Sequence, residues 1–306
     1  MSNPLAVKIA GLKLPNPTML AAGILGLSSA SLLEVAKNGA GAIVTKSVGL
    51  KPRVGFANPA VVQTNCGWLN AIGLANPGAK DFAEEIGALK NSGLTVPLVA
   101  SVFGFSSQEF AKSGSILARA GADAVELNVS CPHVEKTGSE IGQDPSLVAE
   151  VVKKVKSAVS KPVFVKLTPN VADIAEIAKI AVKAGADGVT AINTVRAMAI
   201  DVETGRPILS NRIGGLSGSA VKPIAVRCVY EIFEAVDVPI IGCGGINTWR
   251  DAVEFMLAGA SAVQVGTAVA TEGIDVFKSL TKGLESYVRK KGFRSVNEIV
   301  GLSHRR

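Results

Sequence analysis

The residues with the clearest chemical potential lie in Ala124–Gly142, where a short apolar run leads into a polar loop that contains glycine. Ala124–Asn128 has the composition of a buried strand, and Cys131 follows it in the loop. Loops held at strand ends commonly carry reactive groups, because a rigid scaffold fixes their position. Pro132 also fixes the backbone directly after the cysteine. Cys131 is therefore a candidate reactive thiol, although a free cysteine is more often a small buried apolar residue.

Two lysines stand at the ends of other short apolar runs, where lysine is unexpected. Lys46 follows Ala42–Thr45, and Lys166 lies near the end of Pro162–Leu167. A lysine is almost never buried without a partner. We therefore favour a functional role for both lysines over the alternative that each only extends its ammonium group to the surface.

Composition limits the kind of ligand that this protein binds. The 306-residue chain is 48% apolar, enough for a large core, and its net charge of +7 arises from 32 Lys and Arg against 25 Asp and Glu. This balance suits anionic small molecules or an acidic protein surface. Nucleic-acid binding would require clustered basic residues with exposed aromatic residues. Here the basic residues are dispersed and only 5% of residues are aromatic, so nucleic acid is not expected as a ligand.

The cysteines and the N-terminal residues indicate a cytoplasmic protein without a metal centre. Four scattered cysteines are too few for a disulfide scaffold, an iron–sulfur cluster or a zinc site. No basic segment that leads into an apolar run marks a signal peptide. Pro, Asn and Gly interrupt the two long uncharged stretches, so neither is expected to span a membrane. These stretches are Leu14–Leu33 and Val54–Ala79.

The order of apolar runs predicts a sheet of buried parallel strands. Leu5–Pro15 has the pattern of a small hairpin that turns at Ala10 and Gly11. After it, apolar runs without polar alternation recur, which is typical of parallel strands buried on both faces. The eight runs are Thr18–Ala22, Ala42–Thr45, Pro97–Val102, Ala124–Asn128, Pro162–Leu167, Gly188–Ile192, Pro239–Gly242 and Ala262–Val265.

Helical patterns lie between most of these runs. In Asp173–Ala184, for example, apolar residues recur at the spacing that places them on one face of a helix. The clearest patterns are Ala79–Ser92, Gln108–Ala120, Pro145–Ser160, Asp173–Ala184, Val221–Ala235, Thr248–Ala258 and Asp275–Lys291.

Eight strand–helix units favour an α/β fold, a single closed (β/α)₈ TIM barrel that occupies residues 1–306 as one domain. An open doubly wound sheet is the alternative, but no G-x-G-x-x-G motif follows the first strand. No linker rich in Pro, Gly or Ser divides the chain. The longest insertion, Arg196–Ser219, follows the sixth strand and is expected to protrude or form a lid at the barrel mouth.

Two loops of small residues predict a phosphate site. Cys243–Thr248 follows the seventh strand and Gly266–Ala268 follows the eighth, and both offer backbone N–H groups. Loops at these positions, beside a helix N-terminus, form the recurrent phosphate site of such barrels. A single Gly-Gly pair is also consistent with a tight turn, but two such loops in this order are more specific.

These residues together resemble a known family, the class 1 dihydroorotate dehydrogenases, which are FMN enzymes of pyrimidine synthesis. The resemblance covers nearly the whole chain, and GWLNAIGLANPG is more similar to the nicotinamide-linked class 1B group than to the fumarate-using group. Each motif is weak alone, but all eight in order are specific. They are TKS (45–47), NAIGLANPG (70–78), NVSCP (128–132), VKLTP (165–169), INT (192–194), GGLSG (214–218), CGGI (243–246) and VGTA (265–268).

The resemblance implies an active site with one catalytic residue and two ligands. Cys131 would be the base that takes a proton from C5 of dihydroorotate while C6 passes a hydride to FMN, and Lys166 would stabilise negative charge on the reduced flavin. The residues that hold the substrate would be Lys46, Asn70, Ala71, Ile72, Gly73, Leu74, Asn128, Asn193 and Thr194. The residues that hold FMN would be Ala22, Lys46, Ser47, Ser101, Asn128, Lys166, Ile192, Gly218, Gly244, Gly245, Gly266 and Thr267.

Two positions depart from the family pattern. His133 stands where the family usually has asparagine, and a neutral imidazole cannot reproduce the donor and acceptor of an amide. It is equally consistent with a solvated loop residue. Ser101 stands where relatives often have an asparagine that contacts flavin, and its side chain is shorter. The polar loop Pro132–Gly142 is expected to act as a lid that opens for substrate and closes over it.

The class 1B resemblance also implies a partner, because this chain has neither a dinucleotide motif nor cysteines at cluster spacing. The partner would be a subunit with FAD and a [2Fe-2S] cluster that passes electrons to NAD. Two copies of this chain would form the central dimer of a heterotetramer. The alternatives are a stand-alone class 1A type that reduces fumarate, a flavin-free phosphate-binding aldolase or isomerase with Lys166 as a Schiff base, and a non-catalytic barrel.

Overall fold

Strands and helices alternate along the residues that the computed structural model describes, which are 3–130 and 141–305. The strands are β1 (Val7–Ile9), β2 (Leu12–Leu14), β3 (Thr18–Leu20), β4 (Ala42–Val44), β5 (Val61–Thr64), β6 (Gly67–Asn70), β7 (Leu98–Val102), β8 (Ala124–Asn128), β9 (Val163–Leu167), β10 (Gly188–Ala191), β11 (Val195–Ala197), β12 (Ile200–Asp201), β13 (Arg206–Pro207), β14 (Gly214–Ser217), β15 (Ile240–Cys243) and β16 (Ala262–Val265). The α-helices are α1 (Ser29–Lys37), α2 (Ala79–Asn91), α3 (Ser107–Arg119), α4 (Pro145–Ala158), α5 (Ile174–Lys183), α6 (Lys222–Phe233), α7 (Trp249–Leu257), α8 (Thr267–Glu272) and α9 (Val276–Lys290).

Parallel strands close into a barrel in the order β3-β4-β7-β8-β9-β10-β15-β16, and β16 pairs back with β3. β7 and β9 are buried along their whole length, as expected of strands with helices outside and packed side chains inside. The predicted (β/α)₈ barrel is therefore confirmed, and the open-sheet alternative is excluded. Each of the eight predicted runs overlaps one barrel strand.

Three helix-to-strand turns share one backbone conformation. Each has a glycine with positive φ, between 108° and 121°, which reverses the chain at the helix end without steric strain. In two of them the next aspartate then accepts a hydrogen bond from a neighbouring strand: Asp123 Oδ2 from Leu98 N at 2.8 Å, and Asp187 Oδ2 from Val163 N at 2.7 Å. All three turns have the sequence Ala-Gly-Ala, at 120–122, 184–186 and 258–260, so one local sequence corresponds to one repeated turn. The glycines are Gly121, Gly185 and Gly259.

Of the two short elements near the N-terminus, the hairpin was predicted from the sequence and helix α1 was not. The N-terminal hairpin is confirmed, with Val7 paired to Leu14 and Ile9 to Leu12. Helix α1 was not predicted, because its segment is rich in serine. Its signal is the cap itself, where Ser28 accepts a hydrogen bond from Ser31 N.

A four-stranded antiparallel sheet, in the order β11-β14-β6-β5, is joined to the barrel by the loops after β4 and β10. The predicted insertion Arg196–Ser219 contributes β14 and most of β11, and Gly215 in β14 pairs with Asn70 in β6. These strands were not predicted, because they are short, mostly only partly buried and, in β14, contain two glycines. The insertion is thus half of a sheet whose other half precedes it by more than a hundred residues.

None of the helices in the described segments has the length and apolar character needed to cross a membrane. The uncharged stretch Leu14–Leu33 contains β3 and the beginning of α1, and is not one continuous helix.

Candidate active site

A cavity of about 820 Å³ opens at the carboxyl ends of the barrel strands, beneath the four-stranded sheet. Loops after most barrel strands contribute to its wall, which is the usual position of chemistry in this fold. Nearly all of the predicted site residues line it, although they come from every part of the sequence. They are Ala22, Lys46, Ser47, Asn70, Ala71, Ile72, Gly73, Leu74, Asn128, Lys166, Ile192, Asn193, Thr194, Gly218, Gly244, Gly245, Gly266 and Thr267.

Cys131, His133 and most of the expected lid lie outside the residues that the structure describes, so their roles stay predictions. The described residues on either side lie at the carboxyl end of β8 and at the cavity wall. Ser130 lines the cavity, and Gly142 N donates to Val129 O at 2.8 Å. This hydrogen bond joins the two ends of the intervening segment at the carboxyl end of β8.

Side-chain amides in the cavity wall are held in fixed orientations. Asn193 Nδ2 donates to Asn128 Oδ1 at 3.1 Å, and Asn128 Nδ2 donates to Ser47 Oγ at 3.1 Å. Asn70 Nδ2 donates to the carbonyl of Gly215 at 3.2 Å. These hydrogen bonds fix the direction in which each amide faces the cavity, and amides suit a ligand that offers both donors and acceptors.

Ser101 occupies a different position from the other predicted flavin residues. It is fully buried and is not among the residues that line the cavity. Its hydroxyl lies 2.8 Å from Ser47 Oγ, and its N–H donates to Thr45 Oγ1. The structure therefore places Ser101 behind Ser47, where it supports a cavity residue, and a direct contact between Ser101 and a ligand stays a prediction.

Lys46 provides a cationic group in the cavity wall. Within residues 3–130 and 141–305 no carboxylate lies within ion-pair distance of its ammonium group. Burial lowers the pKa of Lys46 from its ordinary value. A partly desolvated cation of this kind gains most when an anionic ligand binds beside it.

Lys166 lies deeper, and is 5% exposed. Its Nζ donates to Gln264 Oε1 at 2.8 Å and lies 3.8 Å from Glu126 Oε1. Gln264 and Thr190 in turn both donate to Glu126 Oε2, at 2.6 and 2.8 Å. Lys166 thus belongs to a polar cluster inside the barrel that reaches the cavity at Lys166 and Gln264 and extends below it to Glu126 and Thr190.

Sequence reasoning missed Glu126, Thr190 and Gln264. A signal was present, since each is a polar residue within a mostly apolar strand.

Sequence reasoning also missed Asn170, which joins several site loops. Asn170 Nδ2 donates to the carbonyl of Thr194 at 3.3 Å, and its Oδ1 accepts from the N–H of Arg196 at 2.9 Å.

Glycines at the other end of the cavity leave the backbone open to a ligand. Gly244 and Gly245 have φ of 130° and 75°, which favour glycine. A Cβ on Gly245 would lie 2.7 Å from the carbonyl oxygen of Gly218 and 3.0 Å from Lys222 N. The loop of Gly244 and Gly245 is therefore adjacent to Gly218 and to the start of α6, and a Cβ on Gly218 would lie 3.5 Å from Thr267 Cγ2 in the second predicted phosphate loop.

Asp251 fixes the first of these loops. Its Oδ2 accepts hydrogen bonds from the N–H groups of Asn247 at 3.1 Å and Thr248 at 2.8 Å. Its Oδ1 accepts from Lys222 Nζ at 2.8 Å. The hydrogen bonds and the ion pair with Lys222 lower the pKa of Asp251 against the opposing effect of burial. The carboxylate is thus charged at neutral pH and holds the loop in place.

The fold and the site together define a (β/α)₈-barrel enzyme whose cavity offers cations, oriented amides and open backbone N–H groups to an anionic ligand. No cluster of His, Cys, Asp or Glu in the described part of the chain is arranged to hold a metal ion. The comparison with known families is specific. The family model for dihydroorotate dehydrogenase matches residues 4–288, and the chain belongs to this family.

Individual relatives agree with the family match over the full length. The chain is 52% identical over 297 residues to the protein named dihydroorotate dehydrogenase B (NAD(+)), catalytic subunit, from Methanosarcina acetivorans, which covers 97% of this chain and 95% of the relative. It is 50% identical over 299 residues to the protein of the same name from Pyrococcus furiosus, which covers 98% of both chains. The resemblance inferred from the motifs is confirmed, and the flavin-free aldolase alternative is not favoured.

Proposed function

We propose that this chain is the FMN-binding catalytic subunit of an NAD-linked dihydroorotate dehydrogenase and acts as one barrel domain over residues 1–306. The enzymes of this family oxidise (S)-dihydroorotate to orotate in pyrimidine biosynthesis. The observation that carries the proposal is the convergence of the motif residues on one cavity, with oriented amides and lysines on one side and open glycine loops on the other.

The cavity residues fit FMN. The loops of Gly244–Gly245 and Gly266–Thr267 would hold the phosphate through backbone N–H groups, and Lys166 would face the pyrimidine part of the flavin. The 820 Å³ volume is within the range of cofactor sites. When bound, FMN supplies the acceptor for the hydride that leaves C6 of the substrate.

The residues of this chain bind and orient the substrate. Lys46 faces the carboxylate of dihydroorotate, because it has a charge that no described acidic group neutralises. Asn70, Asn128 and Asn193 hydrogen-bond to the pyrimidine ring, whose amide edges offer both donors and acceptors. Their hydrogen bonds to one another and to Gly215 hold these amides in place before the ligand arrives.

Cys131 is the proposed base that removes the proton from C5. The assignment is supported by the sequence, in which Cys131 directly follows Ser130, a residue that lines the cavity. A cysteine has an ordinary pKa of about 8.5, so a positive or hydrogen-bonding environment is needed to favour the thiolate at neutral pH.

A partner subunit completes the proposal. In the described residues, nearly all of the exposed large apolar side chains lie on the loops and strands that surround the barrel mouth. Ile224, in α6, is the exception. Such a surface is typical of a protein interface. The relatives are named catalytic subunits, and we infer a partner that carries FAD and a [2Fe-2S] cluster, with a dimer of this chain at the centre of a heterotetramer in the cytoplasm. The exposed residues are Leu25, Leu27, Val54, Phe56, Val61, Met198, Ile200, Val202 and Ile213.

The colour of the purified chain tests this proposal. Flavin absorbs at about 450 nm, and anaerobic dihydroorotate is expected to bleach this band while orotate forms. A colourless chain that cannot be reconstituted with FMN would contradict the proposal. Trapping of substrate on Lys166 by borohydride would instead support the Schiff-base alternative.

A further inference from the structure

A buried carboxylate lies below the cavity, and none of the proposed binding roles accounts for it. Glu126 is fully buried on β8 and is not among the residues that line the cavity. Its Oε2 accepts hydrogen bonds from Thr190 Oγ1 at 2.8 Å and from Gln264 Nε2 at 2.6 Å. Burial of a charge is costly unless the charge is paired, so this carboxylate requires a nearby cation.

Lys166 is the cation that the described residues provide. Its Nζ lies 3.8 Å from Glu126 Oε1 and donates to Gln264 Oε1 at 2.8 Å. An ammonium group only donates and a carboxylate only accepts, so the orientation of the Gln264 amide between them is determined. Glu126 Oε1 has no hydrogen bond from the part of the chain that the structure describes. The two charges are therefore joined through the bridging amide.

The neighbours of Lys166 decide its charge. Burial alone lowers the pKa of Lys166, but attraction to Cys243 and Glu126 and a hydrogen bond with Cys243 act in the opposite direction, and the net shift is upward. Burial also raises the pKa of the Cys243 thiol, so Cys243 is neutral near pH 7. Near pH 7 the negative charge beside Lys166 in the described segments is therefore that of the Glu126 carboxylate, 3.8 Å from Nζ, and Cys243 adds to it only where its thiol ionises.

We propose that Glu126 is a positioning residue, which keeps Lys166 as an ammonium ion and directs it toward the cavity through Gln264. An ammonium group has three donors. Gln264 takes one and Cys243 contacts the group, which leaves a donor for an anionic group at the cavity floor. The consequence for the reaction rests on the proposed function, because Lys166 is proposed to stabilise negative charge on the flavin. The charge of Lys166 itself is measurable without any ligand.

Lysine-selective ¹³C NMR of the full chain without added ligand tests the proposal, with the Lys166 signal assigned through Lys166→Met. In the wild-type protein, Lys166 is expected to lose its proton only above the ordinary pH range of a lysine. Glu126→Gln keeps the shape of the side chain and removes its charge. In this variant the pH at the midpoint of the Lys166 titration is expected to fall by about 2 pH units or more, because a buried ammonium group without a counter-charge loses its proton readily. An unchanged midpoint in a folded Glu126→Gln protein would overturn the proposal.

Thr190→Val is the matched control, because it removes a hydrogen bond to the same carboxylate but no charge. The titration midpoint of Lys166 is expected to change little in Thr190→Val. In Glu126→Asp, which restores the carboxylate, it is expected to return most of the way from the Glu126→Gln value to the wild-type value. An equal fall in Thr190→Val and Glu126→Gln would mean that packing around the carboxylate controls Lys166, and the proposal would be wrong.

A second measurement applies if Glu126→Gln does not fold. Lys166→Met leaves Glu126 buried without a counter-charge, and a buried unpaired carboxylate is destabilising. The free energy of unfolding of this variant is therefore expected to fall more steeply with rising pH than that of the wild type. A pH profile of stability like that of the wild type would refute the pairing. Failure of the proposed function is separately visible as a wild-type chain that binds no FMN, because neither measurement requires flavin.

Discussion

Single residues in this site act through neighbours that fix their orientation. Asn193, Asn128, Ser47 and Ser101 form one continuous chain of hydrogen bonds from the cavity wall into the barrel. Such a chain orders the ligand-facing groups before the ligand binds, which reduces the entropy lost on binding. Substitutions at these residues are therefore expected to affect binding and rate more than the fold.

The first residue-scale prediction concerns the base. Cys131→Ala is expected to retain FMN but to lower the rate of flavin reduction by dihydroorotate by a factor of about 10² or more, the usual contribution of a positioned base. Stopped-flow absorbance under anaerobic conditions measures this rate. Cys228→Ala is the control, because burial raises the pKa of Cys228 to about 11 and leaves its thiol unreactive. Flavin reduction at the wild-type rate in Cys131→Ala would refute the assignment.

The second residue-scale prediction concerns Lys46 and pH. Burial lowers the pKa of Lys46, so its charge is lost at a lower pH than that of a solvated lysine, and the affinity for orotate is expected to fall as pH rises through this pKa. Lys46→Met is expected to bind orotate about 10-fold to 100-fold more weakly, through the loss of about 1.5–3 kcal/mol from a charged hydrogen bond. Titration calorimetry over a pH series measures both effects.

Lys13→Met serves as the control for Lys46→Met, because Lys13 is exposed on the N-terminal hairpin. It is expected to bind orotate like the wild type. A pH dependence that persists in Lys46→Met would mean that another group controls binding of the carboxylate.

At the scale of elements, two distant segments meet in the four-stranded sheet at the barrel mouth. Gly215 in β14 contacts both sides of the proposed substrate site: its carbonyl accepts from Asn70, and a Cβ on it would overlap the side chain of Thr194. The sheet is thus part of the substrate site and not only a cover. The absence of a side chain at this position allows the close approach.

Gly215→Ala is therefore expected to displace Thr194. We expect it to lower the free energy of unfolding by about 1–3 kcal/mol, as overpacking usually does, and to raise KM for dihydroorotate with FMN still bound. Gly87→Ala is the matched control, because nothing lies within 4 Å of its added Cβ and it lies inside α2. Alanine there is expected to stabilise the helix by up to about 1 kcal/mol. Equal destabilisation in the two variants, measured by urea unfolding, would contradict this account.

At the scale of the whole molecule, the proposed partner decides where the electrons go. Co-expression with a subunit that carries FAD and an iron–sulfur cluster is expected to give a complex that reduces NAD with dihydroorotate, whereas the isolated chain is expected to reduce NAD at a negligible rate. Val54→Asp and Val202→Asp place charges on apolar positions that are 99% and 87% exposed, and are expected to weaken the complex without affecting flavin reduction in the isolated chain. Rapid reduction of fumarate by the isolated chain, with no partner bound, would favour the stand-alone alternative.

The amino-acid sequence by itself determined the barrel and most of the residues at its mouth. Uninterrupted apolar runs identify strands buried on both faces, and strand order then places the residues at their ends together. Lys46 and Lys166 were found in this way, whereas Asn128 and Asn193 were assigned through the family motifs. The four-stranded antiparallel sheet was not predicted, because its strands are short and mostly half-exposed, and their pairing depends on a distant segment that local periodicity does not specify.

Only the tertiary structure decided the partners of each polar group. Glu126, Lys166 and Gln264 are separated by up to 138 residues, and nothing in their local sequence shows that barrel closure brings one carboxylate, one ammonium group and one amide together. The same is true of Ser101, which faces Ser47 and not the cavity. Local patterns report whether a side chain is buried, whereas its charge state and direction depend on the distant residues that surround it after folding.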